Sequence, residues 1–215
     1  MPRESLSNKR IRMESIVNRL KSLYPNSKCS LNYDSAFQLL VATILSAQCT
    51  DERVNKVTSV MFKKYPDAKA FSKLSVKEIA KEIYSTGFYN NKSKNIKAMS
   101  DIVMEKYYGE VPGNMDELVV LPGVGRKTAN VVLGNYFNIP GMVVDTHVTR
   151  ITNLLGFVKS RNAVVIEREM EKVVDRSDWT IFSHLLIDHG RAICVANRPD
   201  CTSCDLSDLC ASSIA

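Results

Sequence analysis

The sequence predicts an all-α fold. Apolar residues recur at intervals of three and four through nearly the whole chain, no stretch alternates as a half-buried strand would, and the interruptions fall at glycine and proline. In DSAFQLLVATILSAQ, residues 34–48, Phe37, Leu40, Val41, Ile44 and Leu45 line one helical face, which marks this helix as central. Ser75 with Glu78, and Asn114 with Glu117, have the spacing of capping boxes and mark further helix starts. Ile96, Met99, Val103 and Tyr107 define a third face; Val164, Val165, Met170, Val173 and Val174 define a later one. Breaks at Tyr65-Pro66, Gly87, Gly109 to Gly113, Pro140-Gly141 and Gly156 divide the chain into about ten short helices.

The 215 residues can bury a sizeable core. No apolar run approaches the roughly eighteen residues of a membrane span, and MPRESLSNKR lacks the apolar segment of a signal peptide. The expectation is a cytoplasmic, monomeric protein of prokaryotic type without membrane attachment. Lysine and arginine exceed aspartate and glutamate by 29 to 23, and a net charge of +6 suits a polyanionic partner without requiring one.

Residues 114–137 read as helix, hairpin, helix: NMDELVV, then LPGVG, then RKTANVVLGNYF. An ordinary helical hairpin with a glycine C-cap has the same spacing. The sharper reading is a phosphate cradle, in which the N–H groups of Gly123, Val124 and Gly125 and the start of the next helix face an anion. Such a contact positions a DNA backbone without reading bases. Lys127 directly behind the turn supplies either charge or a nucleophilic amine; the helix N-terminus and Arg126 both disfavour a further positive charge there. In MVVDTHVTR an apolar, strand-like approach ends at Asp145, a good N-cap.

Cys194, Cys201, Cys204 and Cys210, spaced C-x6-C-x2-C-x5-C, suggest a metal centre before disulfides in a reducing compartment. The spacing is too irregular for two separate zinc knuckles, but spacing alone leaves zinc open. Cys29 and Cys49 read as small buried hydrophobes. His147, His184 and His189 lack ligand spacing and read as structural.

Together LSAQCTD, TGFYNNKSKNI, LPGVGRKTANVV, VDTHVTR and the four cysteines resemble the endonuclease III family of DNA glycosylases, in the helix-hairpin-helix superfamily, from about residue 35 to Cys210. The resemblance implies a bifunctional DNA glycosylase and AP lyase of base excision repair. Its substrates would be oxidised pyrimidines and abasic sites in double-stranded DNA. Lys127 would be the Schiff-base nucleophile, Asp145 the assisting carboxylate, and the four cysteines the ligands of a 4Fe-4S cluster. It places Gln48 and Phe88 at the positions that fill the gap left by a flipped nucleotide; many relatives have leucine where Phe88 stands. The loop after Cys194 is basic in relatives, whereas here it offers Arg198 alone, with Arg191 just before the cluster to compensate. The expected architecture is two helical lobes, residues 29–139 and residues 1–28 plus 140–215, with Lys127 and Asp145 facing each other across a DNA-binding cleft. The alternatives are an adenine-specific mismatch glycosylase, which usually lacks the hairpin lysine and carries a further C-terminal domain, and a non-catalytic DNA-binding iron-sulfur protein.

Overall fold

The computed structural model describes residues 4–214. Among them are eleven α-helices, three 3-10 turns and no strand. In chain order the helices are α1 (Leu6–Leu23), α2 (Ala36–Leu45), α3 (Asp51–Lys64), α4 (Ala68–Ser72), α5 (Val76–Ile83), α6 (Tyr89–Tyr107), α7 (Met115–Leu118), α8 (Arg126–Asn135), α9 (Thr146–Leu154), α10 (Ala163–Met170) and α11 (Trp179–Ala192). They form two compact units, Cys29–Ile139 and Met1–Lys28 with Pro140–Ala215.

The unit Cys29–Ile139 is built around α2. Ser35 caps it by accepting from Gln38 N at 3.2 Å. The apolar spacing predicts one buried face, yet all ten residues of α2 are buried. The helix contains no charged residue, so nothing forces one side of it into water. It packs against α3, α6 and α8, while α6 also covers α4 and α5. Phe71 of α4 is fully buried, with its ring edge-on to Phe37 at 5.3 Å and to Tyr65 at 6.0 Å. Burying a side chain of this kind stabilises the unit by about 1.5–3 kcal/mol.

Ser75 and Glu78 form a complete capping box at the start of α5. At Asn114 only half of one forms. The Asn114 side chain accepts from Glu117 N at 2.9 Å, but the Glu117 carboxylate takes its bond from the Asn114 side-chain amide. Asparagine carries its own N–H donors beside the capping oxygen, so it competes with its backbone for that carboxylate.

In the other unit α1 turns Met13, Ile16, Val17 and Leu20 inward, an i, i+3, i+4, i+7 stripe, into one core with Val148 and Ile151 of α9 and Phe182, Leu185 and Leu186 of α11. The face predicted for α10 needs correction in part. Met170, Val173 and Val174 are in the core as expected, but Val164 and Val165 are exposed, and Ile166 enters the core in their place. Asn162 caps α10 through the N–H groups of Val164 and Val165, which sets both valines in the solvent-facing first turn. Two arginines of α1 hold the chain beyond the core. Arg12 donates to the carbonyls of Leu155 (2.8 Å) and Leu209 (3.0 Å) and stacks on Phe157. Arg19 pairs with Asp208 at 2.6 Å and donates to the Asp205 carbonyl. The Arg19 pair is solvent-exposed and adds little stability; both arginines nonetheless fix where the C-terminal loop runs.

Candidate functional site

The hairpin is held from inside by Leu118 and Leu121, both buried, and by two turn bonds, Leu121 N to Leu118 O and Val124 N to Leu121 O, each 3.1 Å. The second bond occupies the Val124 N–H within the turn, and the Val124 side chain is buried, so Val124 anchors the hairpin. The two glycines differ in kind. Gly123 has φ +79°, and a Cβ there would come within 2.9 Å of Asn95 Cβ, so conformation and packing both demand glycine. Gly125 has an ordinary φ of −94°, and a Cβ there would meet nothing within 4 Å. Nothing in the protein requires glycine at 125. The start of α8 has no side-chain N-cap, and Gly125 leaves its first turn bare, with room for a group to approach its N–H donors. Lys127 lies exposed in that turn, as does Arg126, while Ala129, Val132 and Leu133 turn inward.

A test follows from the contrast. Gly125→Val is expected to leave the fold intact and to weaken binding to damaged and undamaged duplex by the same factor, because the lost contact is to phosphate. Filter-binding titrations at low salt check it; unchanged affinity would remove the cradle.

Gln48 and Phe88 are both exposed, Phe88 by 61%, so Phe88 is no core aromatic. Both hold left-handed backbones, φ 54° and 49°, which cost a residue with a Cβ about 1–2 kcal/mol each. Phe88 is the N-cap residue of α6 without a side-chain cap, and it follows Gly87, also at positive φ. Beside it the rings of Tyr84 and Tyr89 lie 4.7 Å apart.

Asp145 caps α9, accepting from Val148 N through Oδ1 at 2.8 Å. The segment before it is buried but has no regular secondary structure, and it is tied to a helix and not to a strand: Val143 N donates to Ser183 Oγ of α11 at 2.9 Å. The carboxylate is half-buried at the end of this fixed approach.

The four C-terminal cysteines line one cavity of about 60 Å³, whose other walls are largely apolar, among them Ile151, Leu154, Leu155 and Leu206. Burial pushes the Cys194 and Cys204 thiols above their ordinary pKa, with Arg150 opposing it at Cys194. Among the described residues no three metal-ligating side chains stand close enough to share a single ion. Sequence reasoning missed two neighbours of this cavity. Arg150 Nη1 donates to Cys194 Sγ at 3.3 Å. His189, buried, stands between Tyr24 Oη (3.1 Å from Nδ1) and Cys204 Sγ (3.6 Å from Nε2). Ligand spacing detects ligands, not the groups that hydrogen-bond to them, so neither residue carried a signal. Arg191 and Arg198 are exposed; Arg198 sits in a turn closed onto Val195 O, next to Asn197 at φ 65°. Cys29 and Cys49 are half-buried, less enclosed than expected.

Residues 41–176 match the family model described as the HhH-GPD superfamily base excision DNA repair protein. The chain is 50% identical over 211 residues to endonuclease III of Synechocystis sp. (strain ATCC 27184 / PCC 6803 / Kazusa), covering 98% of this chain and 96% of that one. Among solved structures it is similar to a non-covalent endonuclease III–DNA complex, at 39% identity and a TM-score of 0.90, covering 95% of this chain and 96% of the other. A trapped covalent endonuclease III–DNA intermediate matches at 40% identity and a TM-score of 0.89, with the same coverage.

Proposed function

The chain belongs to the endonuclease III family, within the HhH-GPD superfamily of base excision DNA repair proteins, and from that premise we propose that it is a bifunctional DNA glycosylase and AP lyase acting on oxidised pyrimidines in duplex DNA. The observation that carries the reading is the pairing of Gly125, a glycine the protein itself does not need, with an exposed amine two residues on. The bare first turn of α8 takes the phosphate, and Lys127 reaches the sugar attached to it.

The Lys127 amine in its neutral form attacks C1′ while the bond from C1′ to the base breaks, and the base leaves with a proton. Opening of the sugar ring and loss of the amine proton give the Schiff base. Removal of a C2′ proton then breaks the C3′–O bond, which cuts the strand, and water releases the lysine. Asp145 offers negative charge to the cationic sugar and a place for the moving proton; the N-cap bond fixes its direction by occupying one oxygen. Gln48 and Phe88 enter the stack as the nucleotide leaves it. Gly123, Gly125 and Arg126, with Arg191 and Arg198 as surface charge, hold the backbone.

The donor set fits a 4Fe-4S cluster: four thiols line one largely apolar cavity, and burial makes two of them, Cys194 and Cys204, harder to ionise. Cys194, Cys201, Cys204 and Cys210 would hold it, and when bound it supplies metal–thiolate bonds that close the C-terminal loop. Fresh protein is expected to contain about four iron atoms per chain and to lose them in Cys204→Ser but not in Cys49→Ser. Iron analysis with zinc measured in parallel decides this; stoichiometric zinc without iron would overturn the assignment.

Borohydride reduction during reaction with a duplex bearing an oxidised pyrimidine tests the function itself. A covalent protein–DNA adduct is expected. No adduct alongside removal of adenine from a mismatch would favour the adenine glycosylase, and binding without either would leave a non-catalytic DNA-binding protein.

A further inference from the structure

Lys92 is buried in the unit Cys29–Ile139: it is 5% exposed, and among the described residues no carboxylate forms a salt bridge with its amine. Its Nζ instead donates to two main-chain carbonyls, Leu45 O and Thr86 O, each at 2.8 Å. Leu45 is the last residue of α2 and lies three positions before Gln48; Thr86, itself buried, lies two before Phe88. The Lys92 backbone N–H donates to Phe88 O at 3.1 Å. One residue therefore ties together the roots of the two loops that carry the exposed left-handed residues Gln48 and Phe88.

The placement is electrostatically uneven. A cation at the C-terminal end of α2 is favoured by the helix dipole, but Lys92 also stands in the first turn of α6, where a cation is disfavoured, and burial pulls its pKa below the ordinary lysine value. An apolar residue would fill the space without those penalties. What it could not do is satisfy two carbonyls from different loops at once, and each would be left without a donor. Left-handed backbone at a residue with a Cβ persists only where the surroundings enforce it, and here both enforced positions flank the same ammonium.

We propose that Lys92 is a positioning residue for nucleotide flipping, its ammonium clamping the Gln48 and Phe88 loops in one fixed relation so that both side chains enter the duplex together. This rests on the reading of Gln48 and Phe88 as the inserting residues. It separates two properties that a merely structural lysine would move together: grip on the backbone, which belongs to the hairpin, and insertion into the stack, which belongs to the clamp.

The experiment is a cycle of four full-length proteins: the parent, Lys92→Met, the pair Gln48→Ala with Phe88→Ala, and the triple variant. Each is titrated with undamaged duplex and with duplex carrying a tetrahydrofuran abasic analogue opposite 2-aminopurine, whose fluorescence rises when the base is unstacked. Lys92→Met is expected to weaken abasic-site binding about tenfold and to suppress the fluorescence rise. Undamaged duplex should bind within about twofold of the parent, and the triple variant should lose no more than about twofold beyond the pair. Lys92→Arg, which restores a cationic donor, should recover part of the fluorescence. Should Lys92→Met fail to fold, Lys92→Gln takes its place in the same cycle. Equal weakening on both duplexes, or a full additional loss in the triple variant, would overturn the clamp alone. If the Gln48→Ala, Phe88→Ala pair behaved like the parent, the insertion reading itself would fall, and the role of Lys92 with it.

Discussion

Lys127→Gln binds abasic duplex nearly as well as the parent chain, forms no borohydride adduct, and cleaves strands more than about 10³-fold more slowly: that is the expected result. Glutamine keeps most of the side-chain length and leaves the backbone of LPGVG untouched, so the phosphate cradle survives. What it removes is the attacking nitrogen, while the backbone contacts that grip the phosphate stay, so affinity and its salt dependence should change little. Electrophoretic mobility shifts and single-turnover cleavage on the same duplex measure the two halves separately. Because Lys127 is exposed and makes no part of the core, a folding defect cannot mimic the loss.

Asp145→Asn is expected to fold almost normally and to turn over roughly 10²–10³-fold more slowly. Asparagine caps a helix about as well as aspartate, so the bond to Val148 N is kept and the melting free energy should change by less than about 1 kcal/mol. The amide carries no negative charge to set against the cationic sugar and takes up no proton. A thermal melt paired with single-turnover rates checks the claim. Near-normal turnover would reduce Asp145 to its capping role, whereas a large loss of stability would show that the carboxylate matters to the fold and not to the chemistry.

The helical class was legible because the apolar period runs through nearly every segment, and the hairpin because two glycines in LPGVG mark a backbone that must turn or be approached. Which glycine serves which purpose was not legible. Gly123 answers to its own φ and to Asn95, a residue of α6 that no local pattern connects with it, while Gly125 answers to neither. Val164 and Val165 were misread because two adjacent valines look like core until the cap at Asn162 fixes the phase of α10. Nor did any local pattern announce the left-handed backbone at Phe88. Lys92 left no trace at all. Its partners are main-chain carbonyls, one of them 47 positions upstream, and a carbonyl has no letter in the sequence. His189 looked structural, and it is buried and hydrogen-bonded as such a residue should be, but one of its neighbours is Cys204.

The central claim is that the amine behind the glycine turn bonds to the sugar. Reducing the reacting complex with borohydride, digesting protein and DNA, and locating the sugar remnant by mass spectrometry tests it most directly. The account predicts one modified peptide, containing Lys127, and none from the Lys127→Gln protein. A remnant on the N-terminal amine or on another lysine, at the parent's yield, would contradict it and return Lys127 to a contact with phosphate.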